Sequence, residues 1–348
     1  MGHLSKIEPK SARPLTPPDD SLAQTPSMKP LTIRLATPRG FCAGVERAIE
    51  IVELALEKYG APVYVRHEIV HNAHVVRRLE AMGAIFVEEL KNAPDDKPII
   101  VSAHGAPKVV YTEAEERAMT LIDASCPLVL KVHNEARRHV AAGHHVVLVG
   151  HRGHPEVVGV VGQAPEGSVT VLETVAEVEA FEPPKSDNTG LTVPLAYVTQ
   201  TTLSVDEAAG IIDALKVRFP DILSPKKADI CFATSNRQAA VKVIAPSCDH
   251  FLVVGDPKSS NSKRLVETAL AAGAANALLV PDPDAFDLGE LSDKEVVGVS
   301  SGASAPEELV EDLIAKIGGK RSLKIEKVSA VEENVTFRAP PLPEHSPS

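Results

Sequence analysis

Seven short apolar runs in this chain are each followed directly by a small, polar turn rich in glycine, serine or histidine. The stretches at these points are ATPRGFCAG, VSAHGA, DASCPL, VGHRGHPE, VTQTTLS, VVGDPKSSNS and VSSGASAP. Amphipathic stretches alternate with the apolar runs, and in the first of them Val45, Ala48, Ile49, Val52 and Ala55 form one apolar stripe at helical spacing. Short Val/Ile/Leu runs between such helices are typical of a parallel sheet. The chain is therefore predicted to be an α/β protein.

The composition excludes several classes of function. The 348 residues allow two or three domains with ample core. Tryptophan is absent, aromatic residues make up 3% and the net charge is −11, so we expect no nucleic-acid partner. No apolar run approaches the ~18 residues of a membrane span, and the N-terminus lacks the apolar core of a signal peptide. We therefore expect a cytoplasmic protein that does not contact membranes.

The two ends of the chain differ from its centre. Residues 1–30 are rich in proline, serine and charged residues without periodicity, so they are predicted to be a disordered N-terminal extension. The tail from about Lys320, which ends in RAPPLPEHSPS, is expected to be loose at its extremity.

Three of the four cysteines share one local placement. Cys42 and Cys126 lie just after a predicted strand, at or near a helix start, and Cys231 precedes another helical stretch. Because helix N-termini stabilise anions, these three are predicted to be thiolates, the form that binds metal. Cys248 comes before its strand and belongs on the opposite edge of the sheet.

The wide separation of the three cysteines along the chain predicts one ligand from each of three α/β units. A single cysteine without context is more often a buried thiol, and three unrelated buried thiols remain the alternative. Thiolate ligands suit both zinc and iron–sulfur clusters. In a [4Fe–4S] cluster, three cysteine ligands leave one iron open as a Lewis acid for substrate.

Imidazoles, hydroxyls and an amide follow the strands at the same edge, where ligands bind in open α/β sheets. These residues are His71, His104, His154, Ser259, Ser260, Asn261 and Ser304. A lone histidine is usually structural or exposed, but these share their edge with the serines and the asparagine. Together with helix N-termini, such groups can hold a diphosphate without the lysine of a P-loop, and no Walker motif is present.

One acid and one threonine are candidates for chemistry. Glu156 is the only acid in the turn GHRGHPE, which makes it the natural proton donor or relay. Thr201 offers a hydroxyl at a strand end, or alternatively caps the helix that opens at Ser204. The fingerprint GxGxxG is missing, so bound NAD or flavin is not expected and electrons must come from outside.

Nine strings in the chain, taken in order, resemble the signature set of the 4-hydroxy-3-methylbut-2-enyl diphosphate reductases, the IspH/LytB family of the methylerythritol phosphate pathway. They are PRGFCAGV, YVRHEIVHN, SAHG, DASCPLV, GHPEV, TQTTLSVDE, DICFATSNRQ, SSNS and GASAP. The resemblance runs from about Leu31 to Gly318, nearly the whole part that is predicted to fold. The ordered set is very specific, although any one string alone is weak.

The resemblance implies three similar α/β units with mainly parallel sheets, arranged around a central cavity that contains the cluster. The first unit would span residues 44–126 and the second residues 127–223. The third would combine residues 31–43 with 224–318, and a tail would follow at 319–348.

The resemblance also implies roles for the site residues. Cys42, Cys126 and Cys231 would bind a [4Fe–4S] cluster with one open iron. Thr201 would position the substrate's hydroxyl end, Glu156 would deliver protons with His154 beside it, and the remaining residues would chiefly contact the diphosphate: His71, His104, Ser259, Ser260, Asn261 and Ser304.

The implied reaction is a two-electron reductive dehydration. It converts (E)-4-hydroxy-3-methylbut-2-enyl diphosphate to isopentenyl diphosphate and dimethylallyl diphosphate, with electrons from a ferredoxin or flavodoxin system. Two alternatives stay open. One is a zinc-dependent hydrolase in which Glu156 activates water, and the other is a non-catalytic iron–sulfur redox sensor.

Overall fold

The computed structural model describes residues 30–186 and 190–344. The predicted disordered extension, residues 1–30, lies outside these residues apart from Pro30. Within the described part, twelve strands form three sheets of five, four and three strands, and every strand pair is parallel. The predicted α/β fold with mainly parallel sheets is confirmed.

The three sheets are built from separate parts of the chain. The five-stranded sheet has the order β10-β9-β11-β1-β12, from β1 (Leu31–Thr37), β9 (His250–Val254), β10 (Ala277–Val280), β11 (Val296–Ser301) and β12 (Leu323–Ser329). The four-stranded sheet has the order β3-β2-β4-β5, from β2 (Val63–Arg66), β3 (Ala84–Val87), β4 (Ile99–Val101) and β5 (Leu121–Asp123). The three-stranded sheet has the order β7-β6-β8, from β6 (His145–Val149), β7 (Val169–Leu172) and β8 (Leu195–Thr199).

Ten α-helices accompany these strands in the described residues. They are α1 (Ala43–Tyr59), α2 (Ala73–Met82), α3 (Lys108–Glu116), α4 (Pro127–Ala141), α5 (Pro155–Val161), α6 (Val175–Ala180), α7 (Val205–Arg218), α8 (Phe232–Ile244), α9 (Ser260–Ala271) and α10 (Glu307–Gly318). None of these ten is long and apolar enough to cross a membrane.

Helix α1 shows why the sequence pattern produces this packing. Its predicted apolar stripe is buried and packs against the four-stranded sheet, where Val63 and Val65 of β2 are fully buried. Burying one valine or isoleucine side chain stabilises the fold by about 1.5–3 kcal/mol. The helix ends at Gly60, whose left-handed φ of 76° suits glycine.

The chain passes from one sheet to the next at the three cysteines. β1 leads through Cys42 into α1 and on to the four-stranded sheet. β5 leads through Cys126 into α4 and the three-stranded sheet, and Cys231 precedes α8, which returns the chain to β9 of the five-stranded sheet. The three crossovers therefore place one cysteine at each junction between sheets.

The segment after Gly318 is more ordered than the sequence predicts. β12 pairs with β1 over its whole length and forms an edge of the five-stranded sheet. The chain then returns to α1, where the Lys58 ammonium donates to the carbonyl of Leu342 (3.0 Å) and the Tyr59 hydroxyl to that of Pro343 (2.5 Å). Backbone carbonyls that carry no sequence signal thus contact α1, and the loose extremity stays a prediction for residues 345–348, which lie outside the described residues.

Candidate functional site

Each cysteine at a sheet junction is the residue directly before the first turn of a helix. Cys42, Cys126 and Cys231 are the N-caps of α1, α4 and α8. Their own N–H groups donate to carbonyls in three strand-end loops, those of Ala303 (3.1 Å), Ala103 (2.9 Å) and Thr201 (3.1 Å) respectively. All three thiols line one cavity, so the free N–H groups of three helix starts lie around it.

The turn RGFCAG has a glycine that the cavity requires. A Cβ atom on Gly44 would lie 2.6 Å from Sγ of Cys126 and 3.9 Å from Sγ of Cys42. Two cysteines from different junctions thus approach each other over the bare backbone of this residue. Glycine is favoured at position 40 for a different reason, because the φ of Gly40, 73°, lies in the left-handed region.

Burial governs the protonation of the three thiols. It raises the pKa of Cys126 to about 12 and that of Cys231 to about 11, and it also raises the pKa of Cys42. Hydrogen bonds from backbone N–H groups at the helix starts act in the opposite direction but are outweighed. The helix starts by themselves do not outweigh burial, so the thiolate form of these cysteines stays a prediction. A positively charged ligand beside them would be needed.

The donor set fits a cluster of several irons. Nowhere in residues 30–186 and 190–344 do three His, Cys, Asp or Glu side chains gather so as to hold a single metal ion. A cluster makes a different demand, because each thiolate binds its own iron and the sulfurs need not converge on one point. Three half-buried cysteines without disulfide partners at three helix starts meet that demand.

All twelve residues selected from the sequence line the same cavity, which contains about 690 Å³ of space outside the protein atoms. They are Cys42, His71, His104, Cys126, His154, Glu156, Thr201, Cys231, Ser259, Ser260, Asn261 and Ser304. The structure separates none of them from the others. Cys248, which sequence reasoning set aside, is buried elsewhere, and its thiol contacts the carbonyl of Ile244.

Glu156 is held by Thr201 through two hydrogen bonds. The backbone N–H of Thr201 donates to Oε1 (2.7 Å) and its hydroxyl donates to Oε2 (2.9 Å). Burial raises the pKa of Glu156 to about 7, against the lowering effect of both hydrogen bonds. The alternative role of Thr201 as a helix cap is excluded, because Ser204 itself caps α7. The carboxyl can therefore exchange a proton near neutral pH.

Three histidines lie together on another side of the cavity. The rings of His71 and His104 are stacked with centroids 4.2 Å apart, and His154 meets both edge-on at 5.7 and 5.9 Å. Burial lowers the pKa of His154 to about 4 and holds that of His104 well below its ordinary value. These two imidazoles are neutral at physiological pH, so each offers one N–H donor and one acceptor.

Serine and asparagine side chains at the start of α9 and in the loop after β11 also line the cavity. Ser259 is the N-cap of α9, and Ser260 and Asn261 are its first residues. The hydroxyl of Ser304, from the loop after β11, donates to the backbone carbonyl of His71 (3.0 Å). Backbone N–H groups at a helix start and neutral side-chain donors thus face the cavity together, an arrangement that suits phosphate.

Sequence reasoning missed a link between this polar group and the cysteines. The amide of Asn261 donates to Oγ1 of Thr234 (3.3 Å), which lies 3.2 Å from Sγ of Cys231. Asn261 also accepts the N–H of Ala303 (2.9 Å), the residue whose carbonyl binds Cys42. The only sequence signal for Thr234 is its place one turn after a cysteine on the same helix.

Known proteins resemble this chain over most of its length. A protein from Hyphomonas neptunium is 57% identical over 311 residues, which cover 89% of this chain and 97% of the relative. A protein from Rhizobium meliloti is 55% identical over 311 residues, which cover 88% and 87%. Both relatives are named 4-hydroxy-3-methylbut-2-enyl diphosphate reductase.

A solved structure and a family model also match this chain. The structure of the E-1-hydroxy-2-methyl-but-2-enyl-4-diphosphate reductase from Plasmodium falciparum is 36% identical and has a TM-score of 0.83, covering 89% of this chain and 96% of that one. The model of the family described as LytB protein matches residues 33–318. The chain belongs to the LytB protein family.

Proposed function

We propose that this chain catalyses the reductive dehydration of (E)-4-hydroxy-3-methylbut-2-enyl diphosphate to isopentenyl diphosphate and dimethylallyl diphosphate, the last step of the methylerythritol phosphate pathway. The observation that carries the proposal is one cavity in which three half-buried cysteines, a proton-exchanging carboxyl and a group of neutral donors lie together. The names of the relatives support the same reaction. In net terms the substrate takes up two electrons and two protons, its C–O bond breaks, and the oxygen leaves as water.

The polar end of the cavity would bind the diphosphate. His104 and His154 provide neutral N–H donors, and the start of α9 provides backbone N–H groups and the side chains of Ser259, Ser260 and Asn261. Ser304 would add a hydroxyl beside His71. Neutral donors bind an anion without a permanent positive charge, so they would fix the diphosphate while the other end of the substrate extends toward the cysteines.

Glu156 and Thr201 would handle the protons. A carboxyl with a pKa of about 7 is partly protonated at neutral pH and can give that proton to a hydroxyl that must leave as water. The two hydrogen bonds from Thr201 fix both carboxyl oxygens in place. Thr201 Oγ1 would also orient the hydroxyl of the substrate, and His154, whose Nδ1 accepts the backbone N–H of Glu156 (3.2 Å), would hold the start of that helix.

Cys42, Cys126 and Cys231 would hold a [4Fe–4S] cluster. When bound, such a cluster supplies a store of electrons and one open iron that acts as a Lewis acid. The protein's part is to bury the three thiols and to surround them with the N–H groups of three helix starts. A ferredoxin or flavodoxin would deliver the electrons in the cytoplasm, whose reducing conditions suit four unpaired cysteines.

The division of the chain into three units is part of this proposal. Each sheet draws its strands from one of the expected ranges, 44–126, 127–223, or 31–43 with 224–318, except that β12 joins the third sheet from beyond Gly318. Three units that meet at their strand ends would each contribute one cysteine junction to the shared cavity.

Anaerobic purification followed by an activity assay tests the proposal. We expect a brown protein with broad absorbance near ~400 nm that converts the diphosphate alcohol to both products with reduced methyl viologen. A colourless protein that binds stoichiometric zinc would overturn the proposal in favour of a hydrolase. A brown protein without turnover under these conditions would overturn it in favour of a redox sensor.

A further inference from the structure

Each helix that begins at a cysteine junction carries a basic residue about one and a half turns later. These are Arg47 on α1, Lys131 on α4 and Arg237 on α8, which lie five, five and six residues after the cysteine that precedes their helix. None of the three lines the cavity. Their side chains extend instead to the backbone of a different cysteine junction.

Arg47 connects the first junction to the second. Its Nη1 donates to the carbonyl of Ser125, the residue directly before Cys126, at 2.9 Å. Its Nε donates to the carbonyl of Arg338 in the C-terminal segment at 3.2 Å. Arg47 is only 8% exposed, so this guanidinium is committed to these contacts and not to solvent.

Lys131 connects the second junction to the third. Its ammonium donates to the carbonyls of Lys227 (2.8 Å) and Ala228 (3.0 Å) and to Oδ1 of Asp229 (2.9 Å), all within the four residues before Cys231. The Asp229 side chain is fully buried and also accepts the N–H of Thr199 at 2.9 Å. All three donors of the ammonium are therefore used to hold this segment.

Arg237 connects the third junction back to the first. Its Nη2 donates to the carbonyls of Gly40 (2.8 Å) and Phe41 (3.2 Å), the two residues directly before Cys42. The side chain is 1% exposed, and its charge is balanced by Glu333, whose Oε1 lies 3.1 Å from Nη1. Glu333 belongs to the C-terminal segment that follows β12, so that segment holds this arginine as well as Arg47.

The three connections close into a cycle around the cysteines. We propose that Arg47, Lys131 and Arg237, which we call the basic ring, are positioning residues that fix the separations of the three cysteine junctions. Hydrogen bonds from charged donors are shorter and stronger than neutral ones, and these donors act on the backbone next to each cysteine. A closed cycle differs from three separate supports, because releasing any one connection allows all three junctions to move.

This inference rests on the assignment of the three cysteines as ligands of one cluster. The ring would then set the fit of the cluster site. Residues that hold metal ligands in place typically change metal affinity by about 10–100-fold when they are removed. Loss of a ring member should therefore change cluster retention and cluster spectroscopy in addition to activity.

Lys131 offers the cleanest test because its charged partner can be removed with it. The double variant Lys131→Met/Asp229→Asn deletes the ammonium without leaving an unpaired buried carboxylate, and the new amide oxygen at position 229 can still accept the N–H of Thr199. The matched control is Lys242→Met/Asp206→Asn, which removes a lysine–aspartate pair of the same chemistry on the exposed side of α8. Lys131→Arg and Lys131→Gln are measured in parallel, in case the double variant does not fold.

We expect the anaerobically purified double variant to lose its cluster to an iron chelator about ten-fold faster than the wild type and to give a broadened EPR signal when reduced. The Lys242→Met/Asp206→Asn control should match the wild type in both measurements. Lys131→Arg should restore both to near wild-type values, and Lys131→Gln should fall between the two.

Two results would overturn the inference. If the double variant and Lys131→Gln keep the wild-type EPR signal and a chelation rate within about two-fold of wild type, the ring does not position the ligands, although the proposed function stands. If the wild type itself binds no iron–sulfur cluster, the proposed function fails together with the inference.

Discussion

Two groups of side chains in the cavity, which we call its cysteine end (Cys42, Cys126 and Cys231) and its histidine end (His71, His104 and His154), differ in the charge that burial disfavours. At the cysteine end, burial raises the thiol pKa values, so negative charge on sulfur is disfavoured. At the histidine end, burial lowers the pKa values of His104 and His154, so positive charge on the imidazoles is disfavoured. The three thiols, His104 and His154 are therefore neutral by themselves, and their ligands would bring the charge.

This difference explains how one cavity can serve two opposite ligands. A cationic metal centre would stabilise the thiolates that burial disfavours, and a diphosphate would interact with neutral donors that need no permanent charge. The carboxyl of Glu156 has a pKa of about 7, so both of its protonation states are populated near neutral pH. Each substitution that follows changes one of three parts of the cavity: the cysteine end, the carboxyl of Glu156 or the histidine end.

Replacing a cysteine should have the largest effect. Cys126→Ser puts a hydroxyl, a poor iron ligand at neutral pH, where a thiolate is needed, so we expect loss of the cluster and of measurable turnover. Iron analysis and absorbance near ~400 nm after anaerobic purification provide the measurement. The control is Cys248→Ser, whose hydroxyl can keep the contact to the carbonyl of Ile244 and whose site lies outside the cavity. Equal iron loss in both variants would contradict the assignment.

Removing the proton of the Glu156 carboxyl should leave the cysteine end and the histidine end intact. In Glu156→Gln the amide can still accept the N–H of Thr201, so we expect the cluster and KM to be retained. The kcat should fall by about 10²–10⁴-fold, the usual contribution of a positioned acid or base. Glu179→Gln, on the exposed surface of α6, is the matched control. A wild-type kcat in Glu156→Gln under saturating reductant would show that protons reach the substrate by another route.

A methyl group at Gly44 should disturb the cysteine end alone. Its Cβ would lie 2.6 Å from Sγ of Cys126, so in Gly44→Ala either the thiol or the start of α1 must move. We expect iron content and turnover to fall together by about ten-fold, as is typical when a metal ligand is displaced. Gly210→Ala on α7 is the control, because its Cβ would meet nothing within 4 Å.

The sequence predicts some residues of the site but not others. Eleven of the twelve cavity residues could be selected because each follows an apolar run, and Cys231 because it precedes a helix; parallel strands bring positions after apolar runs to one place. Thr234 and the basic ring could not be selected, because threonine, lysine and arginine are ordinary residues on a helix. Their contacts with a cysteine or with a neighbouring cysteine junction become visible only in the three-dimensional structure.

Two expectations left out contributions that only the structure shows. The thiolate prediction considered the helix starts but not burial, which raises the pKa of all three cysteines. The tail was expected to be loose because a proline-rich segment without periodicity carries no packing signal. Its order comes from pairing with β1 and from contacts such as Glu333 with Arg237, which no local pattern encodes.

The pH dependence of turnover should report the carboxyl of Glu156 and not His104 or His154, whose pKa values lie lower. Because burial raises the pKa of Glu156 to about 7, its protonated form persists up to that pH and is lost above it. If protonated Glu156 is the donor, kcat should be level just below pH 7 and fall by about ten-fold per unit above it. The measurement is kcat from about pH 6 to about 9 with saturating substrate and reductant, and the residual activity of Glu156→Gln should lack this step.

Trimming the polar end should have the smallest effect. Ser304→Ala removes one hydroxyl that faces the cavity and contacts the carbonyl of His71, while the cysteine end stays unchanged. A lost hydrogen bond of about 1–1.5 kcal/mol corresponds to an increase in KM of about five- to ten-fold, with kcat and iron content preserved. Steady-state kinetics against the diphosphate alcohol provide the measurement, with Ser168→Ala, a half-buried serine in the turn before β7 outside the cavity, as the control. An unchanged KM with a reduced kcat would place Ser304 in the chemical step, and the division of the cavity into a cluster end and a diphosphate end would then be wrong.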